Sequence, residues 1–237
     1  MTDHFNAHGQ PIGAPVSDWT GCDPIPRTPM HGSSCDVVPL ERQHSAALHT
    51  AFSQDESGAL WTYMPTGPFQ SESDYAAWVA QAADSQDPLF FAIIGKSNGQ
   101  AVGVASFLRI QPENGVAEVG YITFAPALQR TVMATEAMYL MMKRVMGELG
   151  YRRYEWKCDA LNAPSRAAAA RLGFQYDGLF KQARVYKGRN RDTAWFSILD
   201  RDWPALQRGY EAWLNPANFD AHGRQRASLQ ACIARPD

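Results

Sequence analysis

The chain has 237 residues, with 22 Lys plus Arg against 24 Asp plus Glu and a formal charge of -2. So even a balance lacks the clustered basic excess that tracking a nucleic-acid backbone requires. With 45% hydrophobic and 19% charged residues, the composition supplies a sizeable core and excludes pervasive disorder.

The run Leu89-Phe90-Phe91-Ala92-Ile93-Ile94 is far shorter than the roughly 18 apolar residues of a membrane helix. No cationic start followed by an apolar stretch reads as a secretory signal. Cys22, Cys35, Cys158 and Cys232 are too dispersed for a zinc site or a disulfide scaffold. The reading is a soluble cytoplasmic protein with free thiols and no nucleic-acid or membrane partner.

Residues 1–33 hold five prolines and four glycines without a sustained period. Proline stiffens the backbone and lacks a donor, while glycine loosens it, so this segment reads as an extended arm. It either wraps its own domain or a neighbouring subunit through Ile12, Val16 and Trp19, or is partly disordered. Order is expected from a strand at 35–40. An alanine-rich helix follows at 42–53, and another at 73–83 has Ser73 as cap and Tyr75, Trp78 and Val79 on one face. The aromatic, turn-rich stretch 60–69 between them either lines a small-molecule pocket or packs on the core.

Strands at 89–94 and 101–110 flank Asn98-Gly99, a hairpin signal, and a turn at 112–115 leads to a third strand at 116–124. From Ala134 the period becomes helical. Ala134, Ala137, Met138, Met141, Val145 and Leu149 recur at three- and four-residue spacing up to Gly150, a Met stripe that reads as core packing. A strand at 153–158, a helix at 163–172 stopped by Gly173, and strands at 174–182 and 193–199 follow. Two polar-faced helical segments, 205–214 and 217–234, end the chain. This order is that of an α/β or α+β sheet, antiparallel at its start. The organisation read from it is an arm (1–33), a domain (34–200) and a helical tail (201–237).

The junction at 120–137 joins a strand to a helix start, whose free N–H groups and dipole favour an anion. Arg130 and Thr131 add a cation and a hydroxyl there; an ordinary helix start is the plainer alternative. Neither GxGxxG nor GxxxxGKS/T occurs, so Rossmann and P-loop readings have no support.

At this point the sequence resembles the GNAT acetyltransferases, in the branch of the RimJ and RimL ribosomal-protein N-acetyltransferases. The residues that carry the resemblance are Gly120-Tyr121, Pro126, the run from Gln129 to Ala137, Asn162-Ala163-Pro164-Ser165-Arg166 and Arg171-Leu172-Gly173-Phe174. It covers the chain outside the arm and tail. It implies a mixed, mostly antiparallel sheet of about six to seven strands flanked by helices. It also implies acetyl transfer from acetyl-CoA to a primary amine, with no metal and no covalent enzyme intermediate. On the family pattern, pantetheine lies along Ile122, Thr123 and Phe124. Gln129, Arg130, Thr131, Val132, Met133 and Ala134 receive the pyrophosphate, Asn162 holds the pantetheine arm, and Ser165 lies near the thioester sulfur. Val132 replaces the central glycine of the family's loop, a change that is costly only at positive φ.

The reaction needs a neutral amine, a polarised carbonyl and a proton for the leaving thiolate. A terminal amine, with a pKa of roughly 8, is within reach of a weak base. Glu118, sharing a face with Gly120 and Ile122 in a regular alternation, is the first candidate base; the alternative is an exposed edge charge. Asp159, Asp192 and Glu136 come next, and Glu136 also suits the dipole of its helix. Cys158 has no histidine between 50 and 221 to activate it and reads as a buried thiol. The histidines form no metal cluster or serine triad.

Arg184, Lys187, Arg189 and Arg191 make a basic turn, either a solvated hairpin or a holder of an acidic substrate or the CoA 3′-phosphate. Tyr63, Phe69, Tyr186 and Trp195 are candidates for an amine pocket. Two functions compete: an N-acetyltransferase for a protein N-terminus or small-molecule amine, as monomer or homodimer, and a catalytically weak module that binds acyl-CoA or a partner.

Overall fold

A computed structural model describes residues 4–234. Two short strands, β1 (His4–Phe5) and β2 (Pro11–Ile12), pair only with each other. The main sheet comprises β3 (Met30–His31), β4 (Cys35–Pro39), β5 (Leu89–Gly95), β6 (Ala101–Gln111), β7 (Val116–Phe124), β8 (Arg153–Asp159), β9 (Gln175–Tyr186) and β10 (Arg189–Leu199). Their order is β3-β4-β5-β6-β7-β8-β10-β9. The helices are α1 (Ser45–Phe52), α2 (Glu72–Asp84), α3 (Val132–Met142), α4 (Ala163–Arg171), α5 (Trp203–Leu214) and α6 (Leu229–Ile233). The sheet has eight strands rather than six to seven, because the arm contributes the two-residue edge strand β3.

The β5–β6–β7 meander forms as its turn chemistry requires, with Gly99 at φ 67 and Gly115 at φ 60. Period-two alternation splits β5 between two cores. Phe91 and Ile93 join the larger one, while Phe90 and Ala92 face α1 and α2 in the smaller. One pairing is parallel, that of β7 with β8. A parallel pair cannot be joined by a tight turn, so α3 makes the crossover. It runs on into a π-helical segment, Lys143–Glu148, before Gly150 turns the chain at φ 68. Met138, Met141 and Met142 are buried in the larger core, the packing role expected of them.

Three local expectations are corrected. The cap of α2 is Ser71, whose Oγ accepts the Asp74 N–H at 3.1 Å; Ser73 lies inside the first turn. Residues 217–234 are not one helix. They hold a 3-10 turn (Pro216–Asn218), a bridge between Phe219 and Gln225, and the five-residue α6. Asn218 organises this loop, its side chain bonding the backbone of Trp213 and Ala227. Finally, packing begins well before Cys35. The Trp19 indole donates to the Glu113 carbonyl at 2.8 Å, Ile25 is buried, and Tyr151 and Arg144 bond the backbone of Asp23 and Pro29. Trp19 is the anchor among the three apolar residues expected to hold the arm, whereas Ile12 and Val16 are exposed.

Glu136 ties the arm to α3. Its carboxylate accepts the N–H groups of Ser33 (2.6 Å), Ser34 (2.7 Å) and Cys35 (3.2 Å) and the Ser34 hydroxyl. The turn passes so close that a Cβ on Gly32 would lie 2.7 Å from Glu136 Cδ. Burial pushes the carboxyl up, but these donors outweigh it and hold it below its ordinary value. Glu136→Gln is therefore expected to cost about 2–3 kcal/mol by leaving buried donors poorly satisfied, lowering Tm by about 4–12 °C. Because the folded carboxyl is the stronger acid, its contribution is complete above the unfolded value of about 4.3. It is lost as pH falls through the lower folded value. Melting curves of both proteins from pH 7 to pH 3 check this: a constant Tm gap would disprove it.

Candidate active site

The parallel pairing of β7 with β8 lasts only from Val116–Arg153 to Val119–Trp156. Past Val119 the strands separate, and the cause lies in β7. Thr123 pairs with Val104 and Gly120 with Ser106, so Tyr121 and Ile122 together face one residue, Ala105. Tyr121 sits at φ 49. This extra residue is a β-bulge, which bends its strand. It also flips the parity beyond it. Tyr121 packs with the smaller core and Ile122 with the larger, beside Val119. The regular alternation that would place Ile122 on the face of Glu118 is thus broken.

The gap is a cleft. Its walls are Glu118 to Ile122 of β7, Trp156 to Asp159 of β8, Asn162 and Ser165 of α4, Tyr63 to Pro65, and Arg184 and Arg191 of β9 and β10. Glu118, Ile122, Asn162, Ser165 and Tyr63 therefore share one space. Tyr186 stands behind it, its hydroxyl donating to Asp159 Oδ2 at 2.8 Å. Trp195 stacks on Phe180 at 4.4 Å and covers the Lys157 ammonium at 3.7 Å. Phe69 lies elsewhere, in an aromatic cluster with Trp61, Tyr75 and Trp78.

Glu118 is buried rather than an exposed edge charge. Lys157 Nζ is 2.9 Å from its Oε2 and Arg109 Nε is 3.6 Å away. Lys157 also contacts Glu155 at 2.6 Å, and Arg153 holds Glu155 from the other side at 2.7 Å. These neighbours drive the two carboxyls apart. Burial raises Glu118 and the cations recover only part of the shift, so it titrates above its ordinary value. At Glu155, Arg153 and Lys157 overcome burial and hold the group down. Two carboxylates around one ammonium thus acquire different basicities. Lys157 and Trp156 escaped the sequence reading, because only strand register sets Lys157 against Glu118.

The other acids are committed. Asp159 accepts the Leu161 N–H and the Tyr186 hydroxyl, both at 2.8 Å. Asp192 accepts the Gln182 N–H at 2.8 Å and the Asn190 amide at 2.9 Å. Glu136 belongs to the arm turn described above.

At α4, Asn162 is the cap, its Oδ1 accepting the Ser165 N–H at 3.1 Å. The Ser165 hydroxyl instead accepts the Trp156 indole N–H at 3.0 Å, and its own hydrogen is turned to the Cys158 sulfur. Cys158 beside it is buried, and burial raises its thiol despite help from Ser165. A protonated thiol is a poor nucleophile.

At α3, Gln129 bonds the Phe124 carbonyl at 2.9 Å and Arg130 turns the chain at φ 60. Thr131 caps the helix, accepting the Ala134 N–H at 3.1 Å. Val132 is the first helical residue and has no positive φ, so its β-branch is free of strain. The N–H groups of Val132 and Met133 lack intrahelical acceptors. Among the described residues no group of three or more His, Cys, Asp or Glu could hold a metal ion. No helix there is long and apolar enough to cross a membrane.

Several known proteins are similar to this chain. Residues 37–175 match the acetyltransferase (GNAT) domain family. The crystal structure of a GCN5-related N-acetyltransferase from Brucella melitensis is 43% identical, with a TM-score of 0.90 over 92% of this chain and 99% of that one. The uncharacterized N-acetyltransferase p20 of Bacillus licheniformis is 33% identical over 113 residues, 48% of this chain and 63% of p20. The ribosomal-protein-serine acetyltransferase of Escherichia coli is 33% identical over 84 residues, 35% of this chain and 46% of that enzyme. The chain thus spans less than two thirds of either curated relative. With the domain match covering more than half of its length and one relative matched almost end to end, this chain belongs to the GNAT acetyltransferase family.

Proposed function

We propose that the protein transfers an acetyl group from acetyl-CoA to a primary amine by direct attack of the amine on the thioester. The observation that carries this reading is the parting of β7 from β8. It leaves a strand edge without its neighbour, opposite a wall carrying Asn162 and Ser165. An extended amide-bearing chain such as pantetheine can complete an open strand edge, here along Ile122, Thr123 and Phe124. The free first-turn N–H groups of α3, with Gln129, Arg130 and Thr131 beside them, suit the pyrophosphate.

In the reaction the amine nitrogen forms the new bond to the acetyl carbon and the carbon–sulfur bond breaks. The amine loses a proton and the departing thiolate gains one. Glu118, made more basic by burial, is the proposed acceptor of the first proton. Ser165, with a hydroxyl hydrogen to give, serves the second. Cys158 forms no acyl intermediate, since its thiol is raised rather than lowered. The rival reading, a catalytically weak module, drew on Val132 and on the lack of an assured base. Val132 is unstrained at a helix start, and Glu118 is buried, paired with Lys157 and inside the cleft. Among amine classes, a protein N-terminus and a small molecule both remain within this proposal.

CoA at about 100 times its Kd is expected to stabilise the fold by about 2.7 kcal/mol, which raises Tm by about 5–11 °C. NAD at equal concentration should do less, and Val132→Asp, which sets a negative charge in the anion site, should abolish the shift. An equal NAD shift, or a CoA shift untouched by the aspartate, would move the phosphate site elsewhere.

Turnover is followed as thiol release across a panel of amines. Ser165→Ala should lower kcat by roughly 10²-fold while CoA affinity is retained, because the thiolate needs its proton only as the bond breaks. If the loss were in Tm and not in kcat, Ser165 would be only a partner for Trp156. For Glu118, the base form is lost as pH falls. kcat/KM of the wild type should therefore decline on an acidic limb lying above the ordinary carboxylate value, and Glu118→Gln should flatten that limb. An unchanged pH profile would remove Glu118 from the mechanism.

A further inference from the structure

The β9–β10 hairpin turns at Lys187 (φ 48) and Gly188 (φ 70), and its basic residues separate into different roles. Lys187 reaches away to the Trp61 carbonyl at 2.7 Å, fastening the hairpin tip to the 59–69 loop. Arg184 and Arg191 do something else. They are cross-strand partners in the β9–β10 ladder, and both line the cleft. Directly opposed residues hold their Cβ atoms about 4.5–5.5 Å apart, and like charges there repel.

Among the described residues, no ion pair relieves that repulsion: no carboxylate lies within ion-pair distance of either guanidinium. Asp159, the acid that shares the cleft, has its oxygens on Leu161 and Tyr186. Lys157 is already answered by Glu118 and Glu155. The cleft as a whole has three cationic and two acidic side chains, one positive charge in excess. Arg191 is also held in place, its Nε on Thr193 Oγ1 at 3.2 Å and its guanidinium 5.9 Å from the Tyr186 ring. A positioned fork beside a free one suits a planar carboxylate, which guanidinium groups bind through parallel N–H bonds.

We propose that Arg184 and Arg191 bind a carboxylate carried by the acceptor, so that the preferred substrates are amines bearing an acidic group near the reactive nitrogen. This rests on the acetyltransferase reading above and names the acceptor class for it. The pair does not serve the pyrophosphate in this scheme, because the cleft it lines ends at Ile122 and includes none of residues 129–134. An acidic peptide N-terminus and a free acidic amino acid both offer this chemistry.

The test compares C-terminally amidated Ser-Glu-Glu-Ala and Ser-Lys-Lys-Ala as acceptors, with free glutamate against lysine amide as the small-molecule arm. In at least one arm the wild type should favour the acidic acceptor by roughly tenfold in kcat/KM. Arg184→Gln should shrink that ratio, and the double variant Arg184→Glu/Arg191→Glu should reverse it. A retained CoA-induced Tm shift shows that the variants are folded. Equal use of acidic and basic acceptors by the wild type, or a ratio the variants leave intact, would overturn the inference while acetylation itself upholds the transferase reading. A rise in the KM for acetyl-CoA with an unmoved acceptor ratio would reassign the pair to the cofactor and overturn it as well. Thiol release with no amine at all would bring down the transferase reading and this proposal with it.

Discussion

A single residue inserted in β7 organises the molecule. Tyr121, forced to φ 49 where two residues oppose Ala105, ends the parallel pairing at Val119 and Trp156. Two parallel strands that part company leave polar backbone facing a gap, which must find partners. The crossover connection then decides what surrounds it. Leaving the end of β7, the chain caps α3 with Thr131; leaving the end of β8, it caps α4 with Asn162. Two helix starts are thereby delivered to the ends of the two parting strands, and each brings free donors. The cleft is thus a consequence of strand geometry before any side chain contributes to it.

The side chains there are energetically unfavourable as structure. Taking Lys157, Glu118 and Glu155 out of water costs several kcal/mol per ion before their mutual attraction is counted, and apolar replacements are often as stable. The arrangement is not fully satisfied either, for the buried Trp195 Nε1 has no hydrogen-bond partner. Its ring instead faces the Lys157 ammonium, a cation–π contact that gains from low dielectric. A core selected for stability alone would not pay for such a cluster. What the cluster does is split the basicity of two carboxyls around one cation, the property that the proposed role of Glu118 as base draws on.

Much of the fold was legible because it is locally encoded. The Asn98-Gly99 turn, the Met stripe and the Gly150 and Gly173 stops specify their elements within a few residues, and all appear where expected. What escaped depends on pairing across distance. No property of Tyr121 itself marks a bulge; only the register against β6 does, and with it went the assumption that Glu118 and Ile122 share a face. Lys157 and Glu118 are 39 positions apart and meet through the β7–β8 register. Ser71 and Ser73 are equivalent as caps by composition, and only the helix start separates them. In the tail, helix propensity at 217–234 yielded to Asn218, whose side chain bonds both ends of its own loop.

In the proposed function, cofactor and acceptor fall to different parts of the chain for a physical reason. The features suited to acetyl-CoA are backbone features, an open strand edge and a helix's first turn. Backbone donors survive a side-chain change, so Val132 serves at the helix start as a glycine would, provided φ stays negative. The acceptor end is built from side chains on β9 and β10, and β9 is the exposed edge of the sheet along nearly its whole length. Residues there bury little, so exchanging them costs the fold little. An edge strand whose tip is fastened by Lys187 to the 59–69 loop can therefore present arginines, acids or aromatics to the cleft without disturbing β7 and β8. The proposed chemistry is thus confined to the gap between β7 and β8, and the proposed recognition to an exposed edge whose residues the fold needs little.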